Sequence, residues 1–180
     1  MARYRLTGLI GALWGLAGVS LLLASAVYRL APIAMEGLRQ DLRWQHWLFL
    51  IFVLFFMAYA EGYRAFQQGF SPRVAARARY LAERPNLLHG IFAPLFLMAY
   101  FHAPRRRMIT SLSVTAGIII LIILVRLLSQ PWRGIIDAGV VVGLLWGLAA
   151  LLVYAVKAFT SDRFNYSPEV PENARGRVAP

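Results

Sequence analysis

The chain has 180 residues, of which 59% are hydrophobic and 15% charged; its formal net charge is +11, and it contains no cysteine. Soluble globular domains are typically about 45–50% apolar and about 25% charged, so this balance indicates a protein that folds in a lipid bilayer. The lack of cysteine excludes disulfides and thiolate metal sites, and nucleic-acid binding is not expected because the basic residues lie between apolar runs instead of along one polar face.

The first apolar run, residues 6–28, follows a basic start and predicts a membrane-spanning helix. Ala24 and Ala26 imitate a signal-peptidase site, but a signal peptide has only about 7–15 apolar residues, so we expect this helix to be retained. Gly11 and Gly15 lie one turn apart, a spacing that lets a second helix backbone approach closely.

The second run, residues 46–66, begins near two tryptophans and predicts another spanning helix. Residues 72–84 follow, and they are too short and too polar to span. We predict that they form a short amphipathic surface helix lying on the lipid headgroups. Arginines of this helix and of the later basic loop are predicted to bind headgroup phosphates; they are Arg73, Arg77, Arg84, Arg105, Arg106 and Arg107.

Residues 86–103 decide the number of spans. At 1.5 Å per residue they extend about 27 Å, which is just enough to cross a bilayer. We therefore expect an all-α integral membrane protein with a five-helix transmembrane bundle. The alternative is four spans plus a re-entrant or interfacial helix at this position. Five spans divide the arginines almost equally, whereas four spans would collect Arg64 to Arg107 and both termini on the cytoplasmic side.

The last two runs, residues 108–129 and 132–159, complete one predicted transmembrane domain of residues 1–159. The final helix has glycines at every fourth position, a glycine zipper that fits either a second copy or an internal contact; they are Gly139, Gly143 and Gly147. Residues 160–180 contain three prolines and no apolar period. They predict a polar tail that is disordered by itself.

A few ionisable residues interrupt the apolar runs, and five spans would place them at one membrane level. A charge at the centre of a membrane helix costs about 2.5–3.5 kcal/mol, so such a residue needs a partner. Arg133 lies one turn before Asp137 on the same helix face and is the predicted partner. We predict a structural ion cluster, with a proton or ion path as the alternative; its members are Glu61, Arg64, Arg126, Arg133 and Asp137.

Other chemistry has weaker support in the sequence. With five spans, His46 and His102 would lie at one level, and two imidazoles could ligate a b-type haem. Both lie at helix ends, so we predict no bound cofactor, with haem b as the alternative. The sequence contains no dinucleotide, phosphate-loop, metalloprotease or serine-hydrolase motif.

These patterns predict a non-catalytic, multi-pass protein of a bacterial inner membrane. We expect an accessory, assembly or structural subunit whose partners are the lipid bilayer and either a larger membrane protein or a second copy of itself. The alternatives are a small proton, ion or solute transporter that uses the ion cluster, and a haem-b electron carrier.

Overall fold

The structure is a computed structural model that describes residues 5–161 and 163–171, and within these residues every regular element is helical. The all-helical prediction is thus confirmed. In chain order the elements are α1 (Leu6–Leu38), α2 (Trp44–Met57), a π-helical segment (Ala58–Phe70), α3 (Ser71–Glu83), α4 (Leu87–Ile91), α5 (Ala93–Leu97), α6 (Arg105–Arg126) and α7 (Trp132–Thr160).

Four helices are long and apolar enough to cross a membrane. Three are α1, α6 and α7. The fourth is a continuous rod, Trp44–Glu83, in which α2, the π-helical segment and α3 follow one another without a break. The predicted five-helix count is not confirmed.

The segment between α3 and α6 was expected to form the fifth spanning helix but does not. We call it the returning segment (residues 84–104). It contains two five-residue helices, α4 and α5, instead of one long helix. The Asn86 side chain caps α4, and the backbone reverses through left-handed conformations at Ala99 (φ 62°) and His102 (φ 47°). Met98 accepts a hydrogen bond from Ser111, about 9 Å along α6 from its start. The chain therefore leaves α3 and comes back to the same end of the bundle.

The glycine face of α1 packs against α3 and the returning segment. A Cβ atom added at these glycines would lie between 2.5 and 3.3 Å from the nearest atom of the facing element. Such close approach is what small residues permit at a helix crossing. The facing pairs are Gly8 with Ala82, Gly11 with Gly90, Gly15 with Leu97, and Gly18 with Pro94.

The helix predicted at residues 72–84 does not lie on the surface. It continues the rod as α3, packs between α1 and α7, and has nine of its thirteen residues buried. The physical reason is its run of alanines: Ala75, Ala78 and Ala82 have no exposed surface and leave room for the neighbouring helices. An arginine-rich sequence is thus compatible with a core helix.

The glycines of α7 face the rod inside the same chain. A Cβ at Gly139 would fall within 2.4 Å of Val53, and one at Gly147 within 2.5 Å of Phe66. Gly143 is covered by Glu61. Of the two contacts that the glycine spacing allowed, the internal one is the one present in the fold.

Helix α6 stands apart from the other long helices. None of its most apolar 18 residues is buried, and Val125 near its end is its one buried residue. Polar contacts attach its first half to the returning segment, through Ser111 and through a short hydrogen bond between the hydroxyls of Thr115 and Tyr100. The rest of its length has an uncovered apolar surface.

Candidate functional site

A buried arginine in α3 lies at the junction of three parts of the chain. Arg77 is only 2% exposed, and its guanidinium lies 4.1 Å from the centre of the Phe96 ring. All of its hydrogen bonds go to backbone carbonyl oxygens. They are Nε to Phe96 (2.6 Å), Nη1 to Pro168 (3.0 Å) and Glu169 (3.5 Å), and Nη2 to Phe101 and His102 (3.1 Å each).

This arrangement satisfies a charge that is otherwise costly to bury. An arginine presents five N–H donors in a rigid fork, and a hydrogen bond from a charged donor contributes about 1.5–3 kcal/mol. Here the acceptors belong to the returning segment and to residues 163–171, which we call the tail strap. Arg77 therefore holds both segments against α3 and does not point to the lipid headgroups as predicted.

A histidine pair lies beside Arg77. The Nε2 atom of His89 is 2.7 Å from Nδ1 of His102, and the His89 ring stacks on Phe96 with 4.2 Å between centroids. His89 is 3% exposed. Burial, helped by the nearby His102 and Arg77, lowers the pKa of His89 to about 4. The imidazole is therefore neutral near pH 7, which suits its position beside a buried cation.

The structure does not pair the two histidines suggested as haem ligands. The Nδ1 atom of His46 accepts a hydrogen bond from the backbone N–H of Arg43, and its ring packs edge-on against Trp132 at the start of α7. His102 contacts α3, which is bonded to Ser161 at the other end of α7. A helix of 29 residues separates these two ends by about 40 Å.

A small cavity opens between α3, the start of α6 and the tail strap. Its volume is about 50 Å³, and the charged groups that line it are Arg73, Arg77, Arg107 and Glu169. Arg107 donates to both carboxylate oxygens of Glu169, over 2.5 and 2.8 Å. Among the described residues, Arg73 has no hydrogen bond or ion pair. Three cations and one anion give the cavity a positive balance.

Of the predicted ion cluster, the structure shows one ion pair among the described residues. Arg133 and Asp137 do form a pair, with 3.7 Å between Nε and Oδ2, and the aspartate side chain is 7% exposed. Glu61 lies against Gly143, about 9 Å further along α7 than Asp137. Arg64 and Arg126 are exposed, Arg126 because α6 stands away from the bundle.

The predicted headgroup arginines divide into two groups. Arg84, Arg105 and Arg106 are exposed, and headgroup binding remains a prediction for them. Arg73, Arg77 and Arg107 line the cavity instead. Sequence reasoning missed Glu169, because nothing local relates it to an arginine 62 positions away.

The cations that line the cavity are arginines, which do not lose a proton in proteins and so can bind anions but cannot act as bases. Within residues 5–161 and 163–171, no group of three or more histidine or carboxylate side chains could hold a metal ion. Comparison with protein-family models, with curated proteins and with solved structures finds no match to this chain.

Proposed function

We propose that this chain is a non-catalytic, multi-pass integral membrane protein that acts as an accessory or assembly subunit, and that α6 docks on a transmembrane helix of a partner subunit. The observation that carries the proposal is the isolation of α6. Its most apolar 18 residues have a mean hydropathy of 2.6, and none of them is buried by the rest of the chain. A helix that is apolar all round requires either lipid or protein on every side.

The open face of α6 also has the small residues that helix crossings use. Ser113 and Gly117 lie one turn apart, and both are exposed. A Cβ at Gly117 would meet nothing within 4 Å, whereas one at Gly139 or Gly143 would collide with the rod. In membranes, association depends on such close packing because lipid tails are as apolar as leucine. The partner that fits is a spanning helix with small residues at the crossing.

The four long helices support a particular orientation in the bilayer. With four crossings, the start of α1 and the end of α7 lie on one side, together with the returning segment and the tail strap. That side has the exposed arginines Arg84, Arg105 and Arg106. Since cytoplasmic loops are enriched in arginine and lysine, we place this side in the cytoplasm, and the protein in a bacterial inner membrane.

Because the sequence has no cysteine, crosslinking can test α6 directly. A thiol-reactive photocrosslinker is attached to Ser113→Cys in native membranes, and Ile122→Cys provides the matched control. Both positions are exposed in α6 and point about 180° apart around the helix. We expect a specific protein adduct from position 113 and little from position 122.

The mass of the adduct identifies the partner. An adduct at about twice 20.2 kDa indicates a second copy, and any other mass indicates a different subunit. Lipid adducts alone, or equal protein adducts from Ser113→Cys and Ile122→Cys, would show that α6 is a lipid-facing helix without a docking role.

A further inference from the structure

We propose that the cavity between α3, α6 and the tail strap is a binding site for a phosphate group, held by Arg73 and Arg107. This site is independent of the docking role of α6 proposed above. The cavity volume of about 50 Å³ is several times the roughly 10–15 Å³ that one water molecule needs. It is therefore large enough for a small polar group.

The charges around the cavity call for an anion. Arg77 is occupied by backbone carbonyls, and Arg107 is bonded to Glu169. The half-buried guanidinium of Arg73 lines the same cavity and has no acceptor among the described residues. One carboxylate cannot neutralise three guanidinium groups, and like charges that share a site repel one another in a medium of low dielectric constant.

The start of α6 adds to this positive potential. The N-terminus of a helix has a partial positive charge from its unpaired N–H groups. The first turn of α6 has no acidic residue, and it contains Arg105, Arg106 and Arg107. Three cations at the positive end of a helix are unfavourable unless an anion lies nearby. The tail strap supplies only the carboxylate of Glu169 to this region.

The donor groups favour phosphate over a carboxylate or a halide. Arg107 uses Nε and one hydrogen of Nη2 for Glu169, so its Nη1 and the second hydrogen of Nη2 are left to donate a further pair of hydrogen bonds, and the fork of Arg73 can donate another pair. A phosphate has enough oxygens to accept both pairs, whereas a carboxylate has only two. The nearby hydroxyls do not compete, because Ser111 donates to the Met98 carbonyl and Thr110 donates to the Arg106 carbonyl. Two sources of phosphate fit this chemistry, namely a phospholipid headgroup and a free phosphate ion.

The test uses the full-length protein in detergent. Native mass spectrometry measures binding of phosphatidylglycerol and of diacylglycerol, which has the same acyl chains without the phosphate. Isothermal titration measures binding of inorganic phosphate. Arg73→Gln is compared with Arg39→Gln, which removes the same charge at an exposed site beyond the end of α1, outside the cavity. We expect Arg73→Gln to weaken binding about tenfold or more, and Arg39→Gln to weaken it less than about threefold.

The comparison of phosphatidylglycerol with inorganic phosphate identifies the source of the bound phosphate group. Arg73-dependent binding of phosphatidylglycerol alone assigns the site to a lipid headgroup, and Arg73-dependent binding of inorganic phosphate assigns it to the free ion. Equal binding of diacylglycerol and phosphatidylglycerol without phosphate binding, equal losses in the two variants, or binding of no ligand would overturn the proposal. If Arg73→Gln does not fold, Arg73→Lys is measured instead, because it keeps the charge but loses the guanidinium fork. We then expect a partial loss of ligand binding, and binding equal to that of the unchanged protein would contradict the site.

Discussion

The contact between α1 and α3 predicts that Gly8→Ala destabilises the protein. A Cβ at this position would lie 2.6 Å from the carbonyl oxygen of Ala82 and 2.7 Å from that of Leu81. Both atoms belong to the backbone of α3, so no side-chain rotation can relieve the collision. Non-bonded heavy atoms prefer a separation of about 3.5–4.0 Å, so the two helices would have to move apart by about 1 Å.

The magnitude follows from two opposing effects. Overpacking of this kind typically costs about 1–3 kcal/mol. Replacement of glycine by alanine in a helix recovers up to about 1 kcal/mol, and less at Gly8 because it lies in the first turn of α1. We expect a net loss of about 1–2 kcal/mol. For a chain of 150–250 residues this corresponds to a fall of about 2–8 °C in the melting temperature.

Gly117→Ala is the matched control. It makes the same chemical change in a helix of similar apolarity, but its Cβ would meet no atom within 4 Å. We expect its melting temperature to stay constant or to rise by a few degrees. Both variants are heated in the same detergent, and helicity is followed by circular dichroism. If Gly8→Ala melts at or above the temperature of Gly117→Ala, the close approach of α1 to α3 is refuted.

Three further predictions concern buried ionisable groups. Arg77→Lys should cost about 2–4 kcal/mol, because an ammonium cannot reproduce the five-donor fork, and limited proteolysis should then cut the tail strap sooner. Asp137→Asn should cost about 1–3 kcal/mol, because it leaves the partly buried Arg133 guanidinium without its carboxylate, and a double-mutant cycle with Arg133→Gln should show coupling between the two residues. Since the pKa of His89 is lowered from 6.5 to about 4, the unfolded chain binds the proton first on acidification. Up to about 3 kcal/mol of stability should be lost as the pH falls from 6.5 to 4, and His89→Asn should flatten that dependence in thermal melts.

The sequence predicted the apolar helices best, because their limits coincide with abrupt changes in composition. The last helix was expected at residues 132–159 and is found at Trp132–Thr160. Pro131 lies directly before the helix, and the polar tail ends its apolar run. The first helix starts where predicted but continues through Pro32 to Leu38, ten residues beyond the predicted end.

The sequence analysis predicted two separate helices where the structure has one continuous rod, and the reason lies in the residues around Pro72. The helix predicted at residues 72–84 begins with Pro72, because proline usually occupies the first turn of a helix. In the structure it follows thirteen residues of π-helix, Ala58–Phe70, and α3 continues the same axis. A proline ring in an α-helix collides with the carbonyl of the residue four positions earlier. Pro72 still lies in the first turn of α3, but the residues before it form a π-helix, so the rod passes through Pro72 without a break.

The sequence does not reveal the role of Arg77, and the reason would apply to any side chain that bonds only to the backbone. Its acceptors are backbone carbonyls of residues 19 to 92 positions away, and every residue type supplies the same carbonyl group. No side-chain pattern can therefore reveal such a site. The sequence analysis placed Arg73, Arg77 and Arg84 together as headgroup-binding residues of a surface helix. The segments that cover Arg77 are distant in sequence, and the alanines Ala75 and Ala78 on either side of it were the local sign that α3 is closely packed.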